Sequence, residues 1–308
     1  MKPNRRQVLA GASALTAELA ALGAHAASAK RSLLVLGDWG RGIAPHQREV
    51  AARMDVAAGQ FDCAGVLAVG DNFYEDGVQS VEDPKWRDLF EDVYTGEKLR
   101  PLPWYVALGN HDYGGVPQAQ VDYTARSDRW HMPARYFKVA GRDIGVPHMD
   151  LFIIDTNPLI AENLTGDDPL NVNSRSQDGA AQLAWLDHQL ARSKAKYKIV
   201  AGHHTVFSGG STHGDSPDLI IRLLPILRRH GVVAYVNGHD HDLQHIARDG
   251  MHFVCSGAGS EARPVGAIVG TQFCLSRSGF AILSVGDGGV SLEFRDYTGA
   301  SLYQALLS

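Results

Sequence analysis

Five short apolar runs in this sequence are each followed by a glycine, in one case after an intervening asparagine, and then by an aspartate, asparagine or histidine. The segments that follow the runs are GDWG (37–40), GDNFY (70–74), GNHD (109–112), GHH (202–204) and GHDH (238–241). Runs that are apolar throughout are typical of strands buried on both faces of a sheet. Glycine lets the chain turn sharply after each strand. The pattern therefore predicts an α/β fold in which five strand ends carry polar side chains.

The rest of the predicted secondary structure alternates strands with helices. Strands are expected at 32–36, 64–69, 104–108, 151–154, 197–201 and 232–236. Helices are expected at 46–58, at 179–195 with Asp178 as its N-cap, and at 217–229, which Pro225 should kink. Later runs at 252–255, 279–284 and 290–295 predict a second, more antiparallel set of strands, with a hairpin turn at 287–289. This order indicates two sheets.

Composition narrows the class of protein. The chain has 308 residues, of which 44% are hydrophobic and 20% charged, so a sizeable core is possible and wholesale disorder is excluded. The net charge of −5 argues against a nucleic-acid binder that relies on a broad basic surface. Three cysteines are too few for a disulfide scaffold. Buried free thiols are the default expectation, with a Cys255–Cys274 bridge as the alternative.

The first 29 residues have the layout of an export signal. A basic start that includes Arg5 and Arg6 precedes a weakly apolar, alanine-rich stretch with small-x-small sites near its end. The adjacent arginines resemble a bacterial twin-arginine signal, with an ordinary secretory signal or a retained helix as alternatives. The sequence therefore predicts a signal at 1–29, export by the twin-arginine machinery to the periplasm or the outside, and a single domain at 30–308. No stable membrane association is expected.

The polar side chains at the five strand ends indicate a metal site. In α/β sheets, sites form beyond the carboxyl ends of the strands, where rigid elements hold ligands in place. Aspartate and asparagine oxygens combined with imidazole nitrogens suit iron, zinc or manganese better than calcium or a thiolate site. Two such ions about 3.5–4 Å apart form a clamp for in-line displacement at phosphorus. The motifs therefore predict a two-metal site that acts on phosphate esters.

In this order, the five motifs resemble those of the calcineurin-like metallophosphoesterases. With Tyr74 three residues after Asp71, they resemble most closely the purple acid phosphatases of the small, tartrate-resistant type. The resemblance covers about residues 37–245. It implies a four-layer sandwich of two mixed β-sheets flanked by helices. It also implies an acid phosphatase that hydrolyses phosphate monoesters, by in-line attack of a metal-bound hydroxide at an Fe(III)–M(II) centre.

The resemblance also assigns the metal ligands. Four side chains would hold Fe(III): Asp38, Asp71, Tyr74 and His241. Four would hold the second, divalent ion, which is Fe, Zn or Mn: Asp71, Asn110, His203 and His239. Asp71 would thus bridge the two ions. The Tyr74 phenolate would give the purple colour and favour the ferric state.

Four further residues are candidates for catalysis or substrate binding. His111 and His213 would contact the phosphate or protonate the leaving oxygen. His204, beside a ligand, is a further candidate for substrate contact. Asp112 is expected to orient His111 through a hydrogen bond. Asn72 and Asp240 are interpreted as supporting residues of the ligand loops.

Two other functions remain open at this stage. One is a phosphodiesterase of the same superfamily that uses Mn, Zn or Fe, although Tyr74 favours the monoesterase. The other is a periplasmic diiron protein with redox or peroxidative chemistry. The expected partners are small phosphorylated substrates, and no nucleic acid. The chain is expected to be a monomer, since the sequence shows no exposed apolar stripe.

Overall fold

The computed structural model describes residues 30–42 and 44–308. The predicted signal at 1–29 lies outside these residues. Within them, none of the helices combines the length and the apolar character that crossing a membrane requires.

The described residues form fourteen strands. In chain order they are β1 (Arg31–Leu36), β2 (Cys63–Val69), β3 (Trp104–Ala107), β4 (Trp130–His131), β5 (Phe137–Ala140), β6 (Met149–Ile153), β7 (Tyr197–Ala201), β8 (Ala234–Asn237), β9 (Leu243–Arg248), β10 (Met251–Ser256), β11 (Thr271–Leu275), β12 (Gly279–Gly286), β13 (Gly289–Asp296) and β14 (Ser301–Leu306).

The same residues form seven α-helices, together with a π-helix at Trp86–Glu91 and short 3₁₀ turns. The α-helices are α1 (Gln47–Gln60), α2 (Asn110–Tyr113), α3 (Pro117–Asp122), α4 (Pro169–Arg175), α5 (Gly179–Arg192), α6 (Pro217–Arg222) and α7 (Leu224–Arg229). The side chain of Asp178 caps α5 by accepting a hydrogen bond from the N–H of Ala181, as expected. The helix predicted at 217–229 is broken after Arg222, in keeping with the effect expected of Pro225.

The strands form two mixed sheets of seven strands each, as the sequence predicts. The first has the order β14-β13-β12-β1-β2-β3-β4, and β1 to β4 run parallel. The second has the order β11-β9-β10-β8-β7-β6-β5, and β6, β7, β8 and β10 run parallel. In the first sheet the antiparallel strands β12, β13 and β14 lie on one side, and the short parallel strand β4 forms the other edge. In the second sheet the outer strands on both sides, β11 and β9 on one and β5 on the other, are antiparallel to their neighbours.

Alternating side chains show that the second sheet separates two apolar layers. Leu151 and Ile199 belong to the main core, which also contains the first sheet and α1. Their neighbours Phe152 and Val200 belong to a second cluster that includes Leu186 of α5 and residues of α6 and α7. Because successive strand residues point to opposite faces, the helices cover one face of this sheet and the other sheet covers the opposite face. The expected four-layer sandwich is confirmed.

One prediction about the late strands is wrong. The runs at 252–255, 279–284 and 290–295 do not form one separate antiparallel set. The first becomes β10 and lies parallel to β8, whereas β12 and β13 extend the first sheet, with β12 antiparallel to β1. The predicted hairpin does form, because Gly286 pairs with Gly289. The pattern indicated the strands but contained no information on which sheet each would join.

A Cys255–Cys274 bridge does not form, and all three cysteines are free. Cys255 on β10 and Cys274 on β11 both pair with Gln244 on β9, so a whole strand lies between them. Two strand spacings amount to about 9.5 Å. That distance exceeds the Cα separation of about 7 Å beyond which a disulfide cannot form without moving the backbone.

Candidate metal centre

The five strand-end motifs meet at one place in the fold. Three of them follow β1, β2 and β3, which are parallel neighbours in the first sheet. Two follow β7 and β8, which are parallel neighbours in the second sheet. The carboxyl ends of these strands face each other across the sandwich, so the polar side chains of both sheets converge.

One group of side chains surrounds the hydroxyl of Tyr74. The hydroxyl oxygen lies 3.2 Å from Oδ1 of Asp38, 2.9 Å from Oδ2 of Asp71 and 3.1 Å from Nε2 of His241. Nε2 of His241 is also 3.4 Å from Oδ1 of Asp38. These are the four residues that the resemblance implies for the ferric ion.

A second group surrounds Nε2 of His203. This nitrogen lies 3.1 Å from Oδ1 of Asn110, 3.4 Å from Oδ1 of Asp71 and 3.1 Å from Nδ1 of His239. Asp71 therefore turns one oxygen to each group. The structure brings together all seven of the residues expected to bind metal.

The donor set of this cluster fits two metal ions. Asp38, Asp71 and His203 are buried, and each offers one ligand atom within 4.8 Å of the other two. Carboxylate and phenol oxygens with imidazole nitrogens form the mixed O/N set that suits iron, zinc or manganese. Burying two carboxylates so close together is unfavourable unless positive charge compensates them. Metal cations would supply that charge.

The pKa values of the cluster show the same need for positive charge. Burial first, and then the carboxylates of Asp71 and Asp38, raise the pKa of the Tyr74 phenol well above its usual value. Burial alone would lower the pKa of the His203 imidazole, but the same two carboxylates outweigh it and raise that pKa to about 9. The carboxylates thus retain protons on their neighbours, and metal binding would release them.

The backbone of the cluster is strained. Asp38, Asp71 and His239 have φ angles of 57°, 50° and 72°, in the left-handed region that side-chain-bearing residues rarely adopt. Each such residue costs about 1–3 kcal/mol and persists only where its surroundings enforce it. A Cβ at Gly109 or Gly238 would clash with the carboxylate of Asp71 or Asp38. These two glycines are therefore required for the close approach of the strand ends.

The expectation that Asp112 orients His111 through a hydrogen bond is wrong. Its buried carboxylate accepts from the backbone N–H groups of Asn72, Phe73 and Gly109, and from the side chain of Gln120. It therefore joins the loop after β2 to the loop after β3. The side chain of His111 instead contacts the backbone oxygen of Glu75. Asp112 is within three residues of Gly109, and the tight turn directs its carboxylate inward.

His111 lies at the edge of the cluster. Its Nδ1 is 2.6 Å from the backbone oxygen of Glu75, and its ring packs 4.3 Å from the ring centre of Tyr74. Together with Asn110, it lines an open cleft of about 590 Å³. His111 is therefore placed beside the metal ligands and accessible from solvent.

His204 and His213 lie on the opposite side of the cluster. The exposed ring of His213 stacks on the ring of His239 at 3.8 Å, and the ring of His204 is 4.4 Å from that of His239. All three line a second cleft of about 420 Å³. Asp240 accepts hydrogen bonds from the backbone N–H groups of His213 and Gly214, which fits its expected supporting role.

Two residues of the site were missed by the sequence analysis. Oε1 of Glu261 is 3.0 Å from Nδ1 of His241, and the guanidinium of Arg41 lies 4.2 Å from the ring centre of Tyr74. A signal for Glu261 was present, because the predicted strand at 252–255 is followed by the glycine-rich segment 256–260. Arg41 follows GDWG directly, but nothing in the sequence pattern distinguishes it from the other arginines.

Comparison with known proteins agrees with this geometry. The calcineurin-like phosphoesterase family model matches residues 31–243. The chain is 39% identical to purple acid phosphatase 7 of Arabidopsis thaliana, over 75% of this chain and 70% of that protein. It is 33% identical to tartrate-resistant acid phosphatase type 5 of Homo sapiens, over 89% and 90%. The chain belongs to the purple acid phosphatases. They form part of the calcineurin-like phosphoesterase family.

A solved structure shows how far the fold extends. The structure described as GAP50, the anchor in the inner membrane complex of Plasmodium, superimposes with a TM-score of 0.76 at 25% identity, over 91% of this chain and 89% of that one. Because one fold can carry different functions, this likeness of fold does not by itself assign an activity, which has to be argued from the residues of the site.

The position of Asp112 predicts a structural effect of its removal. Asp112→Asn would turn a donor toward N–H groups that now meet an acceptor, so we expect a loss of about 2–4 kcal/mol in the free energy of unfolding. Urea denaturation of the metal-free protein would measure it. The control is Asp122→Asn, an exposed carboxylate on α3, which should change stability by less than about 0.5 kcal/mol. Equal stability of the two variants would contradict the supporting role of Asp112.

Proposed function

We propose that this chain is an acid phosphatase that hydrolyses phosphate monoesters at a centre of two metal ions. The observation that carries the proposal is the position of the Tyr74 hydroxyl, within 3.2 Å of Asp38, Asp71 and His241. The resemblance of the motifs implies that a tyrosine at this position marks the purple enzymes, since most of their relatives lack it. The names of its relatives, purple and tartrate-resistant acid phosphatases, support the same activity.

The two groups of side chains described above would hold one metal ion each. Fe(III) is proposed for the group around Tyr74, because a phenolate and two carboxylates favour a highly charged ion. A divalent Fe, Zn or Mn ion is proposed for the group around His203. When bound, the ions would activate a water molecule as nucleophile and neutralise charge on the phosphate.

His111 is positioned to handle a proton or a phosphate oxygen. The carbonyl oxygen of Glu75 can only accept a hydrogen bond, so Nδ1 of His111 must carry the hydrogen that it donates there. This fixes the ring and leaves Nε2 for the substrate. In its protonated form, Nε2 can donate to a phosphate oxygen or to the leaving oxygen.

On the other side of the centre, Thr156 determines which ring nitrogen of His204 carries the hydrogen. The hydroxyl oxygen of Thr156 accepts hydrogen bonds from the backbone N–H groups of His203 and His204. Both of its lone pairs are then used, so its hydrogen is donated to Nδ1 of His204, 2.7 Å away. The hydrogen of the neutral His204 ring is therefore on Nε2. We propose that His204 and His213 bind phosphate oxygens in the cleft beside His239.

Turnover of two aryl phosphates tests this function. A phosphomonoesterase should hydrolyse a mono-aryl phosphate much faster than a bis-aryl phosphate, and Asp71→Ala should reduce turnover by more than about 10²-fold because both ion sites lose a ligand. Preference for the diester would support the phosphodiesterase instead. Near-normal turnover and metal content in Asp71→Ala would contradict the site. Peroxidative activity without hydrolysis would support the redox protein.

The proposal of iron on the Tyr74 side has a spectroscopic test. The purified mature protein, after mild oxidation, should show a broad purple absorption band and contain roughly two metal ions per chain, including iron. Tyr74→Phe should lose the band, because the phenolate donates the electron density that the band reports. Tyr136→Phe, on another loop, serves as the control and should keep it. A colourless protein with two divalent ions would rule out the ferric assignment.

We further propose export to the periplasm or beyond by the twin-arginine machinery. The support is the sequence of residues 1–29, with Arg5 and Arg6 at its start. Replacing both arginines by lysine should retain the full-length protein in the cytoplasm of an exporting bacterium, as cell fractionation would show. Continued export of that double variant would favour an ordinary secretory signal.

A further inference from the structure

The carboxylate of Glu261 lies directly behind His241. Its Oε1 is 3.0 Å from Nδ1 of His241, 3.2 Å from Nη2 of Arg263 and 3.4 Å from Nε of Arg41. An ionised carboxylate can only accept, so Nδ1 of His241 carries the hydrogen. The lone pair on Nε2 is then directed toward the hydroxyl of Tyr74 and Oδ1 of Asp38, where a metal ion would lie.

Arg41 connects this carboxylate to the other side of the same ligand group. Its guanidinium carbon lies 4.2 Å from the ring centre of Tyr74, a cation–π arrangement. Its Nη1 is 3.0 Å from Oε1 of Glu75, and its Nε faces Glu261. Only 16% of the Arg41 side chain is exposed, so its position is well defined. The contacts close a ring from His241 to Glu261, Arg41, Tyr74 and back to His241.

The corresponding support on the other group is uncharged. Nδ1 of His203 is 2.9 Å from the backbone oxygen of Val69. A carbonyl fixes the orientation of an imidazole, whereas a carboxylate also makes it a stronger donor to a metal ion. The two metal positions therefore differ in what supports their histidine ligand: a carboxylate lies behind His241, and a backbone carbonyl lies behind His203.

We propose that Glu261 and Arg41 are positioning residues that hold His241 and Tyr74 in their ligating orientation and favour the more highly charged ion on that side of the centre. The inference rests on the proposed function in taking His241 and Tyr74 as metal ligands. Neither Glu261 nor Arg41 is assigned a contact with the substrate.

Zinc binding to the metal-free protein is the first test, because it needs neither iron nor turnover. The variants are Glu261→Gln, which keeps an acceptor but removes the charge, and Glu261→Ala, which removes both. Competition with a chelator should show that Glu261→Ala weakens one of two zinc-binding steps by 10–100-fold. The other step should stay within about twofold, and Glu261→Gln should lie between wild type and Glu261→Ala.

Glu75→Gln is the matched control for zinc binding. It removes the other carboxylate partner of Arg41 with the same change in charge, but its side chain makes no hydrogen bond to His241. We expect both of its zinc-binding steps to stay within about threefold of wild type. Wild-type zinc binding in Glu261→Ala, or an equal loss in Glu75→Gln, would overturn the proposal. If Glu261→Ala fails to fold, the near-isosteric Glu261→Gln decides the question.

The absorption band of the iron-loaded protein is the second test, and a purely structural role would not move it. Without the Glu261 charge, His241 donates less and the ferric ion accepts phenolate density more readily. The band of Glu261→Gln should therefore move to longer wavelength, and that of Arg41→Gln should move the same way because the phenolate loses a nearby positive charge. Unchanged bands in both variants would overturn the proposal. A wild type without any band, but with the predicted zinc results, would refute the ferric assignment and support the role of Glu261.

Discussion

The carboxylate of Asp71 is the one group that belongs to both halves of the site, and the rest of the arrangement depends on it. One of its oxygens faces Tyr74 and the other faces His203. The group is 2% exposed and lies close to the buried Asp38, so two negative charges have been removed from water together. In the metal-free chain, protons on neighbouring groups compensate for part of this charge. Two cations would compensate for it more fully, so the buried pair of carboxylates favours metal binding at this place.

Holding Asp71 in place requires backbone that would be unfavourable elsewhere. The chain reverses directly after β1, β2 and β8, and left-handed residues at Asp38, Asp71 and His239 make those reversals possible. The buried carboxylate of Asp112 then binds the N–H groups of two adjacent loops. The backbone strain is thus confined to ligand residues, and hydrogen bonds between the loops offset its cost. A site of this kind keeps its shape before metal arrives, which lowers the reorganisation that binding requires.

The sequence predicted the centre of the fold much better than its edges. Strands such as β2 are buried on both faces and are apolar throughout, so they are recognisable on their own, and each ligand loop follows one of them. Edge strands such as β14, whose mixed side chains are exposed or half-buried, carry no such pattern and were missed. Sheet membership was also hidden, because β12 pairs with β1 across more than 240 residues. Residues that act through others, such as Arg41 and Glu261, become visible only when the loops are brought together.

The two sides of the site differ in how tightly the residues around the ligands are packed. Trp39 and Phe73, each next to a ligand, pack edge to face at 5.4 Å, and Trp39 also contacts Trp104 and Trp130 in the core. These large rings have few rotamers and fill the space beneath the first two ligand loops, so the ligands there have little freedom to move. His213, by contrast, lies on an exposed loop that Asp240 ties down through its backbone. A movement of the His213 loop would therefore leave Asp38, Asp71 and Tyr74 in place, because the aromatic core under the first sheet fixes the positions of these three side chains.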